Sequence, residues 1–405
     1  MDLFVARQPI FDERLNVYAY ELLFRAGPEN VFVRKHSDQA SPRVIHDALH
    51  VFGLETLAGG ARLFVNVNRE VLVEGLATLL PPEIAVVELL ETVELDEDVF
   101  AAAFALRSAG YLIALDDFVF RPGCEPLIAV ADIIKVDFLA TAPEEREALV
   151  RRHRRPGLRF LAEKVETRED FEAARRMGYE LFQGYFFARP QMISARDVPG
   201  STLSRLRLLQ AVSGELDLVE VEEILRADPA LSVKLLRHLN SASFRWRSAV
   251  RSIRQALTLL GERPFRRWAA LVTLTSLGEQ KPTELLLDTL VRAQFCERLA
   301  QPFGIPDAAG DLFLMGLLSH VDAIIGRPLP ELLDQLALAP RVKEALLGGG
   351  EGVPAELFRA ALAYEQGDFG PLEALAHARS VPGEEIGRAF ADALDWAQRT
   401  LVSAS

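Results

Sequence analysis

The chain has 405 residues, half hydrophobic and a quarter charged, and its 45 Lys and Arg face 58 Asp and Glu for a formal net charge of −13. That length holds two or three domains of ordinary size, and the composition excludes a long disordered tract. The acidic balance argues against coating nucleic acid by bulk charge, and two distant cysteines, Cys124 and Cys296, exclude a disulfide framework and a cysteine zinc site.

The opening residues, MDLFVARQPIFDERL, carry charges too early for a signal peptide. No run approaches ~18 uncharged apolar residues, so a cytoplasmic protein without a membrane-spanning helix is expected. Up to about residue 190, short apolar runs alternate with helical stretches. The runs are FVARQPIF, VYAYELLF, LFVNV, IAVVELL, YLIAL, DIIKV, RFLAE and ELFQGY. Continuous runs rich in β-branched and aromatic residues suit strands buried on both faces of a parallel sheet. REVLVEGLATLL and DEDVFAAAFALRSAG between them have helical spacing. Only FDERLN separates the first two runs, too short for a crossover, so these two should pair antiparallel. The expected fold is an α/β TIM-like (β/α)8 barrel with one antiparallel strand, compressed below the usual length.

Past about residue 200 the strand runs cease and helical spacing takes over, in LSRLRLLQAVSG, LSVKLLRHLN, SIRQALTLLG and TELLLDTLVRAQFCERLA. Asp228-Pro229 reads as an N-cap with a first-turn proline, and Gly261 as a helix-ending glycine. DVPGS at Asp197–Ser201 is the expected linker. The expected division is a barrel domain over 1–197 and an all-helical domain over 201–405. Charge divides as −9 for residues 1–200 and −4 for the remainder.

Catalytic groups of a barrel gather at the C-terminal ends of its strands. Here those ends carry Glu21, Asn66, Glu88, Asp116 with Asp117, Lys135, Glu163 and Gln183. Any one alone is more often a cap or loop group; seven positions at roughly βα-unit spacing are a set. Such an oxygen-rich, sulfur-free cluster suits Mg²⁺ or Mn²⁺, and a lysine within it can hold a water or an anionic oxygen. Metal-assisted attack of water on a phosphodiester is the chemistry that fits.

The same residues carry a resemblance. YELLFR at 20–25, VNV around Asn66, VELLE ending at Glu91, ALDDF, IKVD, AEKVET and FQGYFFARP follow in order and spacing. Together they resemble the EAL domain of bacterial cyclic di-GMP phosphodiesterases. The resemblance implies metal ligation by Glu21, Asn66, Glu88 and Asp116, with Asp117 shared by a second ion. It implies that Lys135 and Glu163 orient and deprotonate the attacking water, that Gln183 lines the site, and that Arg25 holds a substrate phosphate. Glu91 stands where the family anchors its loop. RADPALSVKLLRHLNSASF followed by SIRQALTLLG resembles the HDOD domain, an all-helical relative of the HD phosphohydrolases without their His-Asp metal pair.

Two departures bear on activity. The loop after Asp117 reads VFRPGC where the family has small residues and glycines, so it must fold differently. Lys164 stands beside Glu163 where the family has a glycine; with its ammonium close by it would favour ionised Glu163 and make it a weaker base, and the alternative is that it points outward. The expectation is therefore a cyclic di-GMP signalling protein with a metal-dependent phosphodiesterase site whose turnover is weak, conditional or lost. The alternative is a catalytically inactive cyclic di-GMP receptor or interaction scaffold. A protein partner is expected at the HDOD domain, a homodimer is compatible, and neither membrane nor nucleic acid is expected.

Other patterns are set aside. His46 and His50 sit one helical turn apart but lack the glutamate and third ligand of a zinc site. His320 and Asp322 are two apart and face different directions on a helix. RRHRR at Arg151–Arg155 reads as an exposed helix end. The stretch Arg237–Arg267 carries eight Lys or Arg and one acid, a face that is solvated or meets an acidic surface; nucleic-acid binding there would show steep salt dependence.

Overall fold

Eight strands close into a barrel in chain order in the computed structural model. The structure describes residues 3–26, 53–90, 92–116, 124–184, 205, 207, 208, 211, 217–239, 253–277, 281–336 and 338–404. The strands are β1 (Leu3–Asp12), β2 (Val17–Ala26), β3 (Arg62–Val67), β4 (Ala85–Leu89), β5 (Leu112–Leu115), β6 (Ile133–Asp137), β7 (Arg159–Glu163) and β8 (Leu181–Gln183). Each falls on one of the eight apolar runs. β1 is antiparallel to both β2 and β8, and every other neighbouring pair is parallel. The short turn between β1 and β2 is made by Asp12, whose Oδ1 accepts the amides of Arg14 and Asn16 at 2.8 Å each.

Helices cover the outside of the barrel, so β4 is buried at all five positions and its sequence, AVVEL, has no polar alternation. Local chemistry sets helix starts and stops. Asp96 caps the helix Glu97–Ser108 by accepting from Val99, and Thr167 caps Arg168–Met177 by accepting from Asp170. REVLVEGLATLL does not form one helix. Gly75, at φ 71, separates the α-turn Arg69–Val73 from the 3-10 turn Leu76–Leu79. RRHRR begins in the last turn of Pro143–His153, where positive charge complements the helix dipole.

The barrel interior is built in layers. Ile10, Ala19, Phe64, Val86, Ala114, Ile133, Leu161 and Leu181, one from each strand, form a closed apolar plug with no member more than 2% exposed. Side chains two apart along a strand point the same way. The inward residues two further toward the mouth are Glu21, Asn66, Glu88, Asp116, Lys135, Glu163 and Gln183. On the reversed β1 the equivalent residue is two earlier, Gln8, and it stands directly opposite Glu21 in the β1–β2 ladder.

The chain forms two compact units, Met1–Phe187 with Ala360–Asp395, and Ala188–Arg359 with Trp396–Ser405. Among the described residues no strand follows β8. In the second unit Asp228 accepts from Leu231 at 3.2 Å at the head of Pro229–Leu239, and Gly261, at φ 77, ends Ile253–Leu260. Helices Thr283–Leu299 and Ala309–Leu318 approach closely at Gly316, where a Cβ would lie 2.5 Å from the Cα of Ala293. No described helix is long and apolar enough to cross a membrane.

Candidate functional site

The polar layer above the apolar plug surrounds one ammonium group. Lys135, 1% exposed, places Nζ 3.2 Å from Glu21 Oε2, 3.0 Å from Asp116 Oδ1 and 2.7 Å from Glu163 Oε1, and it also pairs with Glu88 Oε1. Around this centre Asn66 Nδ2 donates to Glu21 Oε1 at 3.3 Å. Gln183 Nε2 donates to Glu21 Oε2 at 2.8 Å and to Gln8 Oε1 at 3.2 Å. Glu21 is thus held by three side chains from β3, β6 and β8. Six of these eight residues are buried, and Asp116 and Gln8 are half-buried.

The charges do not balance. Burial alone would depress the Lys135 ammonium, but Asp116, Glu163, Glu21 and Glu88 together overcome it and hold its pKa well above the ordinary value. Burial pushes the Glu88 carboxyl well above the usual carboxylate range, the charge of Glu21 adds to this, and Lys135 offsets it in part. One cation stands among four carboxylates in this buried layer.

Oxygen acceptors are also in surplus. Asn66 Oδ1, Glu88 Oε2 and Gln183 Oε1 are buried without a hydrogen-bond partner. Buried unpaired oxygens cost free energy unless something electropositive meets them. This donor set is all oxygen, mixed carboxylate and amide, which is the chemistry hard divalent cations take. As the side chains stand, no three acidic, His or Cys groups among the described residues converge on one point suited to an ion. It is the Lys135 ammonium that these carboxylates meet.

The structure brings together Glu21, Asn66, Glu88, Asp116, Lys135, Glu163 and Gln183. Arg25 lies on β2 opposite Phe4, and its side chain lies outside the described residues. So do Asp117, Glu91, the loop 119–123 and the His46–His50 pair, together with the linker 197–201 and most of the basic stretch between 240 and 252. Gln8 is a member of this polar layer that the reading of strand ends does not find. β1 runs against the others, so its residue at the mouth comes before the apolar plug in sequence. The glutamine in VARQPIF, two before Ile10, is the signal that a reversed first strand supplies.

Of the two arrangements open to Lys164, the structure shows its ammonium on Asp137. Lys164 adopts φ 54, the left-handed region that favours the glycine it replaces, and its Nζ pairs with Asp137 Oδ2 at 2.5 Å. Burial would raise the Asp137 carboxyl, but the Lys164 hydrogen bond and the amides of Ala140 and Leu139 outweigh it and bring the pKa below the usual range. One residue beyond the site, Gly184 is required by close approach: a Cβ there would lie 2.1 Å from the carbonyl oxygen of Val165. Val165 N–H in turn donates to the Gln183 carbonyl at 2.9 Å, tying β8 to the loop that follows Glu163.

In the helical unit His320 and Asp322 form no metal pair. His320 ends the turn before Val321–Ile325, and its Nε2 lies 3.1 Å from the Arg292 guanidinium. Its Nδ1 lies 3.2 Å from Thr289 Oγ1. A cation already occupies the side an ion would approach.

The EAL domain model matches residues 66–190 and the HDOD domain model residues 200–342. The protein YuxH of Bacillus subtilis, itself uncharacterized, is 37% identical over 86% of this chain and 87% of its own length. The cyclic di-GMP phosphodiesterase CdgJ of Vibrio cholerae is 35% identical over 98% of this chain and 92% of its own. Among solved structures, the calcium and cyclic di-GMP complex of Klebsiella pneumoniae BlrP1 aligns with a TM-score of 0.38 and 25% identity, over 47% of this chain and 56% of that one.

Proposed function

The chain belongs to the family of proteins that join an EAL domain to an HDOD domain, and from that premise we propose that its barrel mouth is a divalent-metal site that hydrolyses cyclic di-GMP to linear pGpG. The observation that carries the reading is the polar layer itself. Eight inward residues stand at one level, with four carboxylates, one ammonium and three unpartnered oxygens.

Glu21, Asn66, Glu88 and Asp116 would hold a Mg²⁺ or Mn²⁺ ion, with Asp117 serving a second. A bound cation would supply positive charge that withdraws electrons from the phosphodiester and acidifies a nearby water. The chain's own groups do the rest. Lys135, released from the carboxylates that a metal would take over, would hold the oxygen of the attacking water. Glu163, beside it at 2.7 Å, would accept the proton. Water adds to phosphorus and the ribose 3′ oxygen leaves with a proton, opening the ring to the linear monoester. Gln183 and Gln8 keep Glu21 in place, and Arg25 would hold a substrate phosphate through its planar fork. The helical domain would act as a regulatory or partner-binding module.

One observation favours a second reading, a barrel that binds cyclic di-GMP without turning it over. Lys135 is a built-in counter-ion that satisfies part of each carboxylate, so the mouth can persist without a metal. Purified full-length protein is incubated with cyclic di-GMP and Mn²⁺ or Mg²⁺, with Glu21→Ala as control. Metal-dependent pGpG that disappears in the variant is the expected result. Binding of cyclic di-GMP with no product would leave the receptor reading standing instead.

A further inference from the structure

The segment 360–395 lies outside both stretches matched by the domain models, yet it belongs to the same compact unit as the barrel. Its place of attachment is β1. Among the described residues β8 pairs with β1 at Ile10, Phe11 and Asp12, and no described strand lies beside the part of β1 beyond the mouth on that side. There the Tyr364 hydroxyl accepts from Val5 N–H at 3.2 Å and donates to Val5 C=O at 3.0 Å. The N–H and C=O of one strand residue point the same way, so a single hydroxyl does for Val5 what a neighbouring strand would do. Tyr364 is fully buried, as is Val5.

Packing reinforces this contact. Phe4 stacks on Phe369 with centroids 5.9 Å apart and meets the Tyr364 ring edge-on at 6.3 Å, and Phe390 backs Tyr364 at 5.4 Å. Gly367, at φ 80, closes the helix Val353–Glu365 against β2: a Cβ there would come 2.6 Å from Leu23 Cδ1. The contact thus grips both strands of the β1–β2 arm. Along β1, Val5 is three residues from Gln8; along β2, Leu23 is two residues from Glu21, which faces Gln8.

We infer that Tyr364 is a positioning residue for the barrel mouth, fixing the β1–β2 arm that carries Gln8 and Glu21. The C-terminal segment is then a working part of the barrel unit. Its effect on metal affinity rests on the function proposed above; its effect on the arm does not.

The test uses the full chain with Tyr364→Phe, which keeps the aromatic packing and removes both bonds to Val5, and with Gly367→Val, which presses on Leu23 from the other strand. Val99→Ala, in an outer helix of the barrel, serves as a comparison that lowers stability without touching the arm. Relative to Val99→Ala, both arm variants are expected to raise amide exchange at Val5 and its neighbours about tenfold and to weaken Mn²⁺ binding by roughly 3- to 10-fold, the scale of one or two buried hydrogen bonds. Exchange and Mn²⁺ affinity equal to those of Val99→Ala would overturn the inference. If the unaltered chain takes up no Mn²⁺, the metal reading fails, and the exchange at Val5 decides the positioning role by itself.

Discussion

Both units bury an ionisable cluster, and the two clusters are opposite in kind. At the barrel mouth acceptors outnumber donors: four carboxylates share Lys135, and three oxygens of Asn66, Glu88 and Gln183 have no donor. In the cluster around Arg292 and His320 of the helical unit, donors meet acceptors in sequence. Arg292 donates to Ser319 Oγ at 2.7 Å and to His320 Nε2, which fixes the proton of the neutral ring on Nδ1, facing Thr289. Ser319 and Thr289 pass their own protons to the carbonyls of Gly316 and Leu285. Burial of charge does not by itself mark chemistry. A surplus of one sign does, because it leaves a place for a ligand of the other.

The largest expected effect breaks the barrel side of this contrast. Lys135→Met removes the cation and leaves the carboxylates facing one another, at a cost of about 3–5 kcal/mol without divalent metal. Mn²⁺ should raise the Tm of this variant more than that of the unaltered chain, and equal shifts would refute the assignment of the mouth to a metal.

Next in size is the pH response of the helical cluster. Although part of His320 reaches the surface, both ring nitrogens are engaged. Burial, then the nearby Arg292 charge, hold its pKa well below the ordinary value. The unfolded chain therefore binds a proton that the folded one does not. Stability is full above the unfolded pKa of about 6.5 and falls below it, by at most roughly 1.4 kcal/mol per pH unit. Denaturant unfolding between pH 7 and 5 should show this slope, and His320→Gln should flatten it.

The smallest effect sharpens the border of the barrel site. Lys164→Gly relieves the left-handed backbone strain but removes a half-exposed ion pair, so net stability near pH 7 should change by less than about 1 kcal/mol. Asp137 has a lowered pKa, so its contribution is present above the unfolded value of about 3.8 and is lost as pH falls through the folded one. In Lys164→Gly the Asp137 titration followed by NMR should move upward. An unmoved titration would show that the amides of Leu139 and Ala140 set it by themselves.

Much of this was legible in the chain. The strand runs marked all eight strands because a strand buried on both faces must be continuously apolar, and FDERLN forced the reversal of β1 because no crossover fits in six residues. The meeting of these polar residues in one layer was legible because each ends an apolar run. Gln8 was not, since a reversed strand presents its mouth residue before its plug residue. Lys164 was read as a neighbour of Glu163, while its left-handed backbone directs the ammonium to Asp137.

Sequence by itself determined the strand order, the level at which polar side chains meet and their oxygen-rich chemistry, because period and composition are local properties of the chain. Tertiary structure decided what no local pattern records. It put the Lys135 ammonium at the centre of four carboxylates drawn from four other strands, and it left three oxygens without donors. It also returned Tyr364, 359 positions away in sequence, to the backbone N–H and C=O of Val5. Contacts between residues that far apart depend on how the barrel closes, and that is not written in any one stretch of the chain.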